Sequence, residues 1–190
     1  VFSASKYFNS TKQIKVFPYK KIIKKNFYFE FLKKYKIPLE TILMRKKYLD
    51  CLEYKFNPEY SFISDYDLLI RLSKVCISVY IPEVTAKWRF HSESDTNKFP
   101  FKFVNEKEIW INRMLKQSNP ETTEFMLLKK LKVKNISEKS RLLIVYSSRY
   151  DAYVNLMRST QINFFWIITL ILIILPFSKK ILKKRYQRGF

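Results

Sequence analysis

The spacing of apolar positions shifts repeatedly along this chain, and each shift predicts a different element. Val1, Phe2 and Tyr7 read as a strand that enters a loop, and the polar, lysine-rich stretch from Asn9 to Lys25 predicts that the loop is exposed. Phe27, Phe31 and Leu32 then share one face at helical spacing, so a helix is expected from Phe27 to Tyr35. Ile37-Pro38 breaks it. The short apolar run from Thr41 to Met44 predicts a buried strand, followed by a helical turn between Arg45 and Leu52. Asn57-Pro58 signals a turn. Ser64 is then placed to cap a helix reaching about Lys74, with Asp67 at the third helical position of a capping-box variant and Leu68, Leu69 and Leu72 on its apolar face.

Two strands are expected on either side of Pro82, at Val75 to Ile81 and Val84 to Phe90. The second alternates: Val84, Ala86, Trp88 and Phe90 fall on one face, and Thr85, Lys87, Arg89 and His91 on the other. Beyond a polar loop, helices are expected at Val104 to Lys116, Glu121 to Lys132 and Ser137 to about Met157. The last carries an amphipathic stripe of Leu142, Tyr146, Tyr150, Tyr153 and Met157. Phe164 to Phe177 is apolar apart from Thr169. As a helix it would be roughly 21 Å long against a hydrocarbon core of roughly 30 Å. Both flanks are basic, so charge bias gives no orientation for a single crossing. The length favours an in-plane or re-entrant anchor, although a tilted crossing or a buried helix would also fit the run.

Composition adds exclusions. With 37 Lys+Arg and 16 Asp+Glu, the net charge of the 190 residues is 37 − 16 = +21. Part of this excess matches the abundance of Lys, Ile, Asn, Tyr and Phe that an A/T-rich coding sequence produces. A basic surface still suits phosphates or anionic lipid, and the tail concentrates Lys179, Lys180, Lys183, Lys184, Arg185 and Arg188 without an acid. The single glycine, Gly189, rules out a glycine-rich phosphate loop within these residues. Cys51 and Cys76 have no C-x-x-C spacing and read as reduced core thiols in a cytosolic setting. The opening at Val1 in mid-pattern suggests a fragment, and the first 30 residues carry no apolar stretch of signal-peptide type.

The chemistry concentrates between Phe56 and Thr96. Asp65 and Asp67 start a helix, where the helix dipole favours ionised carboxylates able to accept a proton or hold a divalent cation. Residues i and i+2 point about 200° apart, so one should face a site while Asp67 pairs with Arg71, four residues on. His91 is the only histidine and shares a strand face with Arg89. Taken alone, each feature is more often structural than catalytic.

In order and spacing, FNPEYSFISDYDLLIRLSK followed by VYIPEVTAKWRFHSESDT resembles the acceptor-side half of bacterial family 2 glycosyltransferases of the GT-A fold. The matching residues are Asp65, Tyr66, Asp67, Leu68, Arg71 and Leu72, then Tyr80, Pro82, Ala86, Trp88, Arg89, His91, Ser94 and Thr96; Ile37 to Leu49 looks like the family's preceding strand and basic turn. Two departures are Ser64, where the family usually has Glu, and the absence of a glycine near Pro38 to Thr41.

The resemblance implies an α/β fold, the C-terminal half of a GT-A domain, followed by helices and a membrane-anchoring helix. Residues 1–108 would be the acceptor-side part, 109–160 a helical extension, 161–178 the hydrophobic membrane segment and 179–190 a basic tail. It implies inverting transfer of a sugar from a nucleotide-diphosphate donor to a hydroxyl acceptor such as a lipid-linked glycan, in cell-envelope polysaccharide synthesis at the cytoplasmic face of a membrane. Asp65 falls at the family's catalytic base. Arg89 and His91 fall near the diphosphate, with His91 a candidate ligand of a divalent metal (Mg or Mn), and Asp67 and Arg71 brace the helix. The nucleotide-binding half and its D-x-D would lie upstream, so the fragment alone should not turn over. Two rival expectations are a noncatalytic membrane-associated remnant and, on charge alone, a basic nucleic-acid-binding domain. The apolar segment and the lack of a nucleic-acid fold signature speak against a nucleic-acid partner.

Overall fold

The computed structural model describes residues 1–8, 13–16, 23–35, 37–89, 91, 93–159 and 161–187. The chain is mixed α/β and divides into two compact units, Val1–His91 and Ser92–Phe190.

The first unit is built on a four-stranded sheet whose order is β2 (Gln13–Val16), β1 (Phe2–Phe8), β4 (Ser78–Arg89), β3 (Ile23–Lys25). The central pair, β1 and β4, is parallel, and both outer strands are antiparallel. The two strands expected around Pro82 are one continuous β4. Its register against β1 slips between Ser3 and Ala4 and again between Ala4 and Ser5, so the partners of β1 jump from Ile81 to Val84 and then to Ala86. These bulges accommodate Pro82, which has no N–H for the ladder, without ending the strand. Past Ala86 the pairing is regular to Phe8 and Arg89; Phe90 lies outside the described residues.

β2 and β3 occupy parts of the stretch expected to be loop; residues 9–12 and 17–22 of it lie outside the described residues. Backbone pairing with β1 and β4 overrides the polar composition, and lysines are well suited to outer strands exposed along one edge. The predicted strand at Thr41 to Met44 is also absent. Its start is a 3-10 turn, Leu39–Thr41, drawn tight because the Thr41 hydroxyl donates to Pro38 O (2.8 Å) and accepts from the Ser3 amide (3.1 Å). Leu43 exchanges both backbone hydrogen bonds with Val1, but its side chain is 73% exposed.

Helix α1 (Tyr28–Lys33) delivers the expected apolar face. Phe27 and Phe31 stack at 5.3 Å, and both pack edge-on against Phe2, which also meets the fully buried Tyr80. Helix α2 (Lys46–Asp50) buries nothing, so Cys51 at its end is exposed, contrary to the core thiol expected; Cys76 is half-buried, and both are free. Helix α3 (Ser64–Val75) buries Leu68, Leu69, Ile70 and Leu72. It is capped by Ile63 rather than Ser64, and no side chain caps it. Ile63 is fully buried, so apolar anchoring fixes the helix start one residue earlier and places Ser64 inside the first turn.

The second unit is helical: α4 (Asp95–Lys98), α5 (Pro100–Gln117), α6 (Thr123–Tyr146), α7 (Arg149–Met157), α8 (Phe164–Ile174) and α9 (Ser178–Gln187). The helices expected at 121–132 and 137–157 are divided differently. α6 runs unbroken through Asn135, whose buried side chain donates to Val104 O (2.8 Å). The break comes at Ser147-Ser148, where both hydroxyls bond to Asp151 and Ser148 caps α7. The break dissolves the predicted stripe: Leu142 is buried, while Tyr146, Tyr150, Tyr153 and Met157 are exposed. Leu156 and Ala152 of α7 instead join Ile136, Ile144 and Val145 of α6 in a core that Ile173 and Leu182 complete.

Candidate functional site

The site grows from the start of α3. Asp67 turns inward, and Arg71 one turn later meets it twice, Nε donating to Oδ2 at 2.9 Å and Nη2 lying 2.8 Å from the same oxygen. The guanidinium also donates to the carbonyls of Tyr54 (2.6 Å) and Lys55 (2.8 Å) and lies 4.3 Å over the Tyr54 ring. One arginine therefore fastens the preceding loop to the helix, as only a planar fork with several donors can.

Asp65 is turned elsewhere, as the i, i+2 geometry requires. It is half-buried, and the Tyr35 hydroxyl donates to its Oδ2 at 3.3 Å. Burial first, then the Asp65 carboxylate, hold the Tyr35 phenol far above the ordinary tyrosine range, with Tyr66 and Tyr7 adding smaller contributions. Tyr35 therefore remains protonated, a fixed donor to Asp65. Its ring packs edge-on against Tyr66 at 5.1 Å.

Tyr7 lies on β1 of the sheet. Its ring meets Trp88 edge-on at 5.3 Å, the pair being opposite each other in the β1–β4 register. Burial, followed by the Glu40 carboxylate, pushes the Tyr7 phenol up to about 12. Glu40 accepts from the Ser5 hydroxyl. One residue beyond Tyr7 and Trp88, the Arg89 guanidinium lies 5.8 Å over the Phe8 ring. β1 and β4 are parallel, so Tyr7, Phe8, Trp88 and Arg89 all stand at the same, carboxyl end of the pair. Crevices outside the carboxyl ends of parallel strands are where open α/β sheets place ligands.

Arg89 and His91 are both exposed at this end, and Lys87 is exposed on the Arg89 face of β4. Tyr35, Tyr7 and Glu40 were not singled out from the sequence, because a tyrosine at a helix end and a glutamate in a turn carry no spacing signal. A carboxylate with a hydroxyl donor can accept a proton, and an exposed guanidinium can neutralise a phosphate. Among the described residues no three His, Cys, Asp or Glu side chains converge, and Asp67 is committed to Arg71.

No protein-family model, curated protein or solved structure matches this chain.

Proposed function

We propose that this chain is the acceptor-side portion of an inverting, family 2-like glycosyltransferase of GT-A type, acting with a nucleotide-binding half carried on the same protein at the cytoplasmic face of a membrane. The observation that supports it best is the Tyr35 hydroxyl donating to Asp65, in the same unit whose parallel β1–β4 pair carries Arg89 at its carboxyl end.

In this reading Asp65 removes the proton of an acceptor hydroxyl as its oxygen attacks the anomeric carbon of a nucleotide-diphosphate sugar. The bond from that carbon to the diphosphate breaks, and the nucleoside diphosphate leaves with the electron pair and the negative charge that Arg89 is suited to meet. Tyr35 orients the carboxylate by donating to one of its oxygens. Asp67 and Arg71 keep α3 fixed to the loop before it. A divalent metal, Mg or Mn, would take its ligands chiefly from outside the described residues, with His91 the candidate from this chain.

The test uses the complete protein with a panel of nucleotide-diphosphate sugars and a membrane-lipid extract as acceptor, followed by release of the nucleoside diphosphate. Sugar transfer with inversion at the anomeric carbon is expected. A complete protein that binds no nucleotide sugar and releases no nucleoside diphosphate would overturn the reading.

A further inference from the structure

The apolar run and basic tail of the second unit leave open whether the segment crosses a membrane or lies along it, and the packing of its helices bears on that choice. Among the described residues no single helix is long and apolar enough to cross. α8 spans about 17 Å at 1.5 Å per residue and is followed, across Leu175-Pro176-Phe177, by α9 at a bend of 119°. The two faces of α8 are unlike. Trp166, Thr169, Leu170 and Ile173 pack towards the α6–α7 core, with the Trp166 indole N–H donating to Leu156 O at 3.2 Å. Phe164, Ile167, Ile171 and Ile174, at three- and four-residue spacing on the opposite side, are exposed by 71%, 48%, 50% and 69%.

α9 repeats the division with different chemistry. Ser178 and Leu182 are buried and Tyr186 donates to Glu138 of α6 at 2.9 Å, whereas Lys179, Lys180, Lys183 and Lys184 are exposed. A third group sets the corner between them. Arg149, at the start of α7, donates through Nη2 to Leu175 O (2.8 Å) and Pro176 O (2.6 Å), so one guanidinium holds two carbonyls of the turn between α8 and α9.

We infer that α8 and α9 form a bent in-plane anchor for an anionic lipid leaflet: the outer stripe of α8 with Leu175 and Phe177 enters the acyl boundary, Lys179, Lys180, Lys183 and Lys184 meet the headgroups, and Arg149 latches the bend that presents both. One face of α8 is packed on the α6–α7 core, so a crossing would draw α6, with its lysines and buried Arg141, into the hydrocarbon. An apolar stripe adjoining a cluster of lysines matches the acyl and phosphate layers of a leaflet in order and in charge. The inference takes up the membrane placement proposed above but none of the sugar chemistry, and its assay does not depend on transfer.

Sedimentation of the 190-residue chain with sealed vesicles of phosphatidylcholine and phosphatidylglycerol is expected to show binding that weakens with salt and with loss of the anionic lipid. Each Lys→Gln change among the four should lower affinity about fivefold. A triple Phe164→Ser, Ile171→Ser, Phe177→Ser variant, changed only at exposed positions, should fold and not bind. Arg149→Met should bind more weakly with all four lysines present. With Cys51 and Cys76 replaced by Ser, a Lys184→Cys variant is expected to react with an impermeant maleimide on intact vesicles. Labelling that requires detergent would overturn the in-plane placement. Absence of vesicle binding, including the case in which the chain dimerises through the stripe instead, would overturn the lipid partner.

Discussion

Replacing Arg71 with Leu should release both the loop before α3 and the helix start. The guanidinium makes two contacts with Asp67, whose side chain is only 6% exposed, two with backbone carbonyls, and one with the Tyr54 ring. Breaking a buried ion pair from one side costs about 3–5 kcal/mol, because the remaining charge loses its compensation. Arg71 is itself 21% exposed and water can reach the Lys55 carbonyl, so the lower end, about 3 kcal/mol, is expected here. The chain has two compact units, so a single global unfolding transition would blur the effect. Amide hydrogen exchange read over α3 avoids this problem: a loss of about 3 kcal/mol should speed exchange roughly 100-fold there and leave α6 unchanged. Asp67→Asn should partly rescue Arg71→Leu, with a coupling of about 2 kcal/mol. Less than about tenfold acceleration, or two strictly additive substitutions, would refute the clasp as the element that fixes α3.

The other expectations concern the helical unit. Burial, reinforced by Lys134 and opposed by Glu138, lowers the Lys107 ammonium to about 8. Its folded value thus lies below the unfolded value of about 10.4, so the folded state binds fewer protons between them and stability should rise with pH from about 8 to about 10.4. Lys107→Met should flatten that rise and stabilise the unit at pH 7 by about 1–2 kcal/mol, after discounting for the partial exposure of the side chain; urea titrations at several pH values would show it, and an unchanged slope would deny the burial cost. The buried Asn155 amide donates to Ile136 O (3.1 Å) and Ser140 Oγ (2.8 Å), tying α7 to α6. Asn155→Ala should cost about 2–3 kcal/mol, measured by amide hydrogen exchange over α6 and α7, and unchanged exchange rates there would remove Asn155 as the tie. Ser148→Ala, which removes the side-chain cap of α7, should cost about 1 kcal/mol in the same measurement, whereas no loss would mean that Asp151 holds the turn alone.

Local periodicity carried α1, α2, α3 and α5 into the fold almost as the sequence predicts, because each has an apolar face or a turn signal within a dozen residues. Strand pairing was less legible. Nothing in QIKV or IKK marks a strand until β1 and β4 offer their edges, and the bulges that carry β4 past Pro82 depend on register rather than residue type. The split between α6 and α7 rests on two serines bonding one aspartate, a local competition that the aromatic stripe masked. At the candidate site, the Asp67–Arg71 pair followed from i, i+4 spacing. The hydrogen bond from Tyr35 to Asp65 joins residues 30 apart in sequence, which no periodicity encodes.

The central proposal is that Asp65 is the base of a sugar transfer. It is tested most directly by substituting Asp65→Asn in the complete protein and measuring turnover alongside equilibrium binding of the nucleotide-sugar donor. The account predicts a fall in kcat of about 10²–10⁴-fold with donor affinity unchanged, since asparagine keeps the shape and the acceptor oxygen for Tyr35 but cannot take a proton. An Asp65→Asn protein that turns over at the original rate would contradict the account and remove Asp65 as the base.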